Sequence, residues 1–168
     1  MVQLVAQETN ADRRPIEEVK ARAEAGDAAS EAELGLRHKH GEGVAKDQVE
    51  AVKWYRKAAE QNYAMAQNSL GVCDEQGEGV QKDPVEAVKW YRKAAEQNDV
   101  DAQYNLGMCY ERADAGTEDW AEVYKWLSLA ARQRHEGAKK FMIVLESKLM
   151  TPEQIAQGQK RAREFKPR

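Results

Sequence analysis

Apolar and small residues recur along this chain in two alternating helical patterns. In one, Ala51, Trp54, Tyr55, Ala58 and Ala59 fall at spacings of one, three and four, which places them on one face of a helix. The same face returns at Ala87, Trp90, Tyr91, Ala94 and Ala95. The whole stretch EAVKWYRKAAEQN stands letter for letter at Glu50–Asn62 and at Glu86–Asn98. In the other pattern small residues and leucine alternate with polar ones, as in Ala66, Leu70 and Gly71 or Ala102, Leu106 and Gly107.

Both patterns obey one spacing. Leu34-Gly35, Leu70-Gly71 and Leu106-Gly107 are 36 residues apart, as are Trp54, Trp90 and Trp126. This divides the chain into units 27–62, 63–98 and 99–134, each predicted to be a pair of helices. The second helix opens at Asp47-x-x-Glu50, Asp83-x-x-Glu86 or Asp119-x-x-Glu122, which reads as a capping box with Asp in the leading place. Pro84 suits the first helical position, where its missing N–H costs nothing. The first helix ends before Gly41 or Gly77, residues free to take the left-handed conformation of a helix end. The third unit reads Ala113-Asp-Ala-Gly116 there, so an irregular turn is expected.

Ala66, Gly71, Ala102 and Gly107 predict close helix approach, with Trp54 and Trp90 filling the space beside them. Neither helix hides its apolar face alone, so stacked units share one core. Residues 1–12 are expected to be disordered and 13–26 to form an N-terminal capping helix. The span 135–168 is expected to form a half repeat and a C-terminal capping helix. In that last span Thr151-Pro-Glu-Gln154 is a capping box that starts a helix to about Phe165. Ile155, Ala162 and Phe165 are expected to face inward, with Arg and Lys outward.

From Ala66 to Ala95, the residues Leu70-Gly71, Gly77, Gly79-Val80, Asp83, Ala87, Trp90 and Ala94-Ala95 resemble the Sel-one-like repeat (SLR) family. That family is a branch of the tetratricopeptide-like helical repeats. Its tyrosine position holds His38, Asp74 and Tyr110 in the three units, and Ser30 replaces the leading alanine of the first. The resemblance implies an all-α fold: a right-handed α/α superhelical solenoid of tandem antiparallel helix pairs with a 36-residue period. It also implies a non-enzymatic adaptor or scaffold, often bacterial, that binds a partner protein or peptide on its concave face. The other functions weighed are a small-molecule binder or hydrolase-like activity, and a nucleic-acid contact through the basic C-terminal helix with Lys160, Arg161 and Arg163.

Charge sharpens this picture. Residues 1–131 carry 16 Lys and Arg against 25 Asp and Glu, whereas residues 132–168 carry 10 against 4. An acidic body does not suit nucleic acid, which asks for a positive main surface. In EAVKWYRKAAEQN the aromatics are expected to face mostly inward and the basic residues outward, so base stacking is not expected. No catalytic motif, phosphate loop or metal signature is present, and no cofactor is expected. His38 and His40 are two apart on a helix and point to different sides, so they are read as surface residues, and so is His135. Asp74 and Glu75 are read as a solvated face. Cys73 and Cys109 are read as small buried residues rather than a bridge.

No apolar run reaches membrane-spanning length and no intact signal peptide opens the chain. Two unbridged cysteines favour a cytoplasmic location, a periplasmic or secreted one stays open if a signal peptide has been removed, and a monomer is favoured. The partner face is expected on the first helices, where a helical wheel turns Leu36 and Lys39, then Asn68, Val72 and Glu75, then Tyr104, Met108, Glu111 and Arg112 away from the core. Leu36, Val72, Tyr104 and Met108 either form an apolar groove for a peptide or pad the seam between adjacent first helices.

Overall fold

The structure is a computed structural model that describes residues 14–112 and 119–168. Helices α1 (Ile16–Glu24), α2 (Ala28–His40), α3 (Gln48–Glu60), α4 (Ala64–Gln76) and α5 (Pro84–Glu96) are followed by α6 (Val100–Glu111) and α7 (Trp120–Arg132). The chain ends in α8 (Glu136–Val144), a π-helical turn over Leu145–Leu149, and α9 (Pro152–Glu164). Each helix from α1 to α7 packs on the next, and α9 returns to lie on α7. This is an all-α solenoid. The expected disorder of residues 1–12 and the irregular turn at 113–116 lie outside the described residues.

Local chemistry sets the helix ends. Asp47 and Asp83 accept from the N–H groups of Glu50 and Glu86, each at 3.0 Å. The expected reciprocal half of the box is replaced. The N–H of Asp47 donates to the His38 carbonyl at 2.9 Å and that of Asp83 to the Asp74 carbonyl at 2.8 Å, which ties each second helix to the first. Glu50 and Glu86 pair with Lys53 and Lys89 instead. Only Thr151 and Gln154 close a full capping box among the described residues.

Gly41 and Gly77 end α2 and α4 at φ +76°. Gly35 and Gly71 lie under aromatic rings, and here the expectation of Trp54 and Trp90 as fillers is corrected. A Cβ on Gly35 would stand 2.7 Å from the ring of Tyr55, and one on Gly71 would stand 2.6 Å from that of Tyr91. Tyr55 and Tyr91 are buried, whereas Trp54 and Trp90 are half-buried, with Lys57 and Lys93 resting on their rings. Tyr and Trp are neighbours on the wheel; the tyrosine sits nearer the axis of contact with the first helix.

A polar ladder joins the units. Gln67 and Gln103 are buried among apolar residues, where an unmet amide would be costly. The Gln67 amide donates to the Asn62 side chain at 3.0 Å, and its oxygen accepts from Gln97 at 2.7 Å. Gln103, Asn98 and Gln133 repeat this set at 3.1 and 3.0 Å. Asn62 and Asn98 hold φ near +65° just past a helix end, a conformation Asn tolerates better than most residues.

The two ends are capped differently. Val19 and Ala23 of α1 bury against Leu34. At the other end Gly158 of α9 lies on Tyr124, and Phe165 meets Trp126 edge-on with ring centroids 5.4 Å apart. Arg161 is not outward as expected: it binds Asp119 at 2.8 Å and Glu122 at 3.0 Å.

Candidate functional site

Helices α2, α4 and α6 are the first helices of the three units. Their small faces pack on the second helices, so the opposite face is what a partner can reach. Leu36 is exposed on α2, and Lys39 is half-buried and paired with Glu78 at 2.7 Å. Asn68, Val72 and Glu75 are half-buried on α4; Tyr104, Met108 and Glu111 are half-buried on α6, and Arg112 just past it is exposed.

Several of these residues meet one another. Asn105 donates to Asn68 at 3.1 Å, and Arg112 pairs with Glu75, which also accepts from the Tyr91 hydroxyl at 2.7 Å. Both inter-helix pairs, Asn68–Asn105 and Glu75–Arg112, are 37 residues apart, one more than the repeat. In both pairs a residue on α4 meets the residue one place past its counterpart, on α6 or just past it. The sequence repeat of 36 pairs Asn68 with Tyr104, so Asn105 carried no signal there.

The apolar members are not all alike. Val72, Tyr104 and Met108 pack against the buried core cluster and fill the seam between helices. Leu36 and Met65 remain exposed at 44% and 55%. Tyr104 stacks on His135 at 4.2 Å between ring centroids. His135, read from the sequence as a surface residue, is instead the N-cap of α8: its Nδ1 accepts from the Ala138 N–H at 3.0 Å. It occupies the capping place that Asp27 and Asp99 hold in earlier units, 36 residues apart from Asp99.

Two further expectations change. Asp74 is buried rather than solvated, and burial, then the Glu86 carboxylate, raise its pKa. Arg56 across the helix pair opposes that rise. In the next unit the same two places hold Tyr110 and Arg92, with the Arg92 guanidinium hydrogen-bonded to the Tyr110 hydroxyl. Cys73 is a free, buried thiol that burial pushes up to about 11, so at neutral pH it holds its proton and is a poor nucleophile. Burial and then Glu75 push the Tyr91 phenol far above its ordinary value.

Among the described residues no group of three or more His, Cys, Asp or Glu is placed to hold a metal ion, and no helix is long and apolar enough to cross a membrane. What the geometry offers is an extended surface of fixed helices rather than converging reactive groups.

Residues 28–63, 64–99 and 100–135 each match the Sel1 repeat model. The chain belongs to the Sel1 repeat family. Sel1 repeat proteins are generally protein-interaction scaffolds. The fold is similar to that of c5321, a protective antigen present in uropathogenic Escherichia coli strains and displaying an SLR fold. That likeness has a TM-score of 0.77 at 35% identity over 89% of this chain. It is also similar to a Sel1 repeat protein from Oxalobacter formigenes, with a TM-score of 0.70 at 35% identity over 76% of this chain and 96% of that one. The match covers 34% of the E. coli antigen, so this Sel1 array spans about a third of that longer protein. No curated protein matches the chain.

Proposed function

We propose that this Sel1 array is a non-enzymatic scaffold that holds a partner protein or peptide along the face of α2, α4 and α6, the concave side in repeats of this kind. The observation that supports this most is the composition of that face. Leu36 and Met65 stand exposed on α2 and α4, and Asn68, Glu111 and Arg112 bring hydrogen-bonding groups to α4 and α6. Apolar anchors within a polar rim are what a protein interface uses. The polar pairs between α4 and α6 hold the face in one shape before any partner arrives, which lowers the ordering cost of binding.

The test is a photo-crosslinking amino acid placed singly at Leu36, Asn68 or Glu111, and at Lys53 or Lys89 on the second helices. Adducts to one partner from the first three positions, and not from the last two, are expected in cells of the native source. Adducts of equal yield from all five positions, or from Lys53 and Lys89 alone, overturn this face as the binding surface.

A further inference from the structure

The basic end of the chain folds around a cleft. Helices α7, α8 and α9 enclose a space of about 490 Å³. Three cations line it, Arg132, Lys139 and Arg163, one from each helix, and no carboxylate does. Its apolar lining is the Tyr124 ring, Ala131 and the thioether of Met142, and Ser128 and Gln159 bring side-chain hydrogen-bonding groups. The Tyr124 hydroxyl donates to Glu146 at 2.7 Å and accepts from Gln159 at 3.3 Å. Lys139 is held by Glu136 at 2.6 Å. Neither Arg132 nor Arg163 makes an ion pair among the described residues, whereas Arg161, one helical face away, is spent on Asp119 and Glu122. Two guanidiniums thus line a common space without an ion-pair partner among the described residues, while the nearby carboxylates Glu136 and Glu146 are taken by Lys139 and the Tyr124 hydroxyl.

We propose that this cleft is a docking site for a short acidic peptide segment, with side-chain carboxylates on Arg132 and Arg163 and an apolar side chain on Ala131 and Met142. The planar fork of arginine pairs with a carboxylate through two parallel hydrogen bonds, and two arginines from different helices select two carboxylates close in sequence. The size of the space suits a few residues of chain. The charge around it argues against a nucleic acid. Residues 1–131 carry 25 acidic against 16 basic side chains, so a long polyphosphate running from the cleft onto the body of the array meets repulsion there, whereas a single acidic turn confined to the cleft does not. The site lies on α7, α8 and α9, away from Leu36, Asn68 and Glu111. It therefore stands or falls apart from the face proposed above.

The experiment is an amide chemical-shift titration of the full chain with the acetylated, amidated tetrapeptide Leu-Glu-Glu-Phe, beside Leu-Gln-Gln-Phe, inorganic phosphate and a single-stranded oligonucleotide. Saturable shifts confined to α7, α8 and α9 are expected with the acidic peptide, and binding at least about tenfold weaker with the glutamine peptide. The double variant Arg132→Gln, Arg163→Gln is expected to lose binding by about the same factor. Both side chains are exposed, so the fold is retained. Lys148→Gln with Lys166→Gln removes the same charge from exposed places outside the cleft and is expected to leave binding unchanged. Equal binding of the two peptides overturns the proposal, as does an equal loss in both double variants. Tighter saturation by phosphate or by the oligonucleotide than by the acidic peptide does so too.

Discussion

The ring of Tyr91 lies so close over Gly71 that a single methyl group there would stand 2.6 Å from two of its carbons. Tyr91 is fully buried and its hydroxyl is fixed on Glu75, so the ring has nowhere to retreat. Gly71→Ala is expected to cost about 1–3 kcal/mol or more through overpacking. Thermal unfolding followed by circular dichroism checks this, and an unchanged midpoint would show that α4 and α5 can part more easily than their packing implies.

Gly79 and Gly26 separate two effects that glycine substitutions usually mix. Both hold positive φ, +73° and +87°. A Cβ on Gly26 meets nothing within 4 Å, whereas one on Gly79 would press into the Gln48 carbonyl and stand 2.9 Å from the Val49 nitrogen. Gly26→Ala is expected to cost about 1–2 kcal/mol, the left-handed backbone penalty alone. Gly79→Ala adds a backbone clash between units and is expected to cost about 2–5 kcal/mol in all. Equal losses in denaturant titrations of the two variants would refute the inter-unit contact.

The amide of Gln97 is the donor on which the buried oxygen of Gln67 depends. Gln97→Leu leaves that oxygen without its partner, at a cost of about 1–3 kcal/mol. Hydrogen exchange at the start of α4 is expected to quicken with the loss. A midpoint shift without faster exchange there would place the effect elsewhere.

Asp74 and Asp119 are expected to respond to pH with opposite signs. The folded pKa of Asp74 is raised by burial, so its ionised form opposes folding, fully above that raised value and not at all below the unfolded one. Asp74→Asn is expected to raise the melting temperature at neutral pH, with the gain shrinking as pH falls into the ordinary carboxylate range. Burial also works against the Asp119 carboxylate, but Arg161 and the N–H groups of Glu122 and Ala121 outweigh it and hold its pKa low. Its contribution is present above the ordinary carboxylate value and fades as pH falls through the depressed one. Arg161→Gln is expected to cost about 1 kcal/mol or less at neutral pH, since the pair is more than a third exposed. Melting curves from neutral to strongly acidic pH distinguish the two carboxylates.

The repeat, the aspartate caps and the glycine helix ends were open to sequence reading because each is a local signal. Asp47 needs only the next three residues to act as a cap, and the spacing of 36 needs only comparison of the chain with itself. The choice between Trp54 and Tyr55 as the core ring was not local. The two are one helical step apart, and the position of α2 decides between them. Asp74 reads as solvated for a similar reason: polar Glu75 and Gln76 follow it, and its burial beside Glu86 and Arg56 depends on how the helices pack. The face of α2, α4 and α6 was drawn by a wheel that treats each helix alone, so it could not show that Val72, Tyr104 and Met108 would be half-covered by the adjacent helices.

The glutamine ladder gives the array a direction. Gln97 and Gln133 each bind one residue of their own unit and one of the unit before, Asn62 or Asn98. At the leading edge Gln61 finds only Glu31, because the place of the earlier asparagine is taken by Gly26. A copy of the middle unit carries both halves of the joint, Gln97 with Gln67 and Asn98 for the unit that follows, whereas the third unit ends in Arg134 where the others have Asn. A shift of one or two residues separates the two halves. Insertion of further copies of the middle unit, in strides of 36 residues, is therefore the change of length that repeats this joint unaltered.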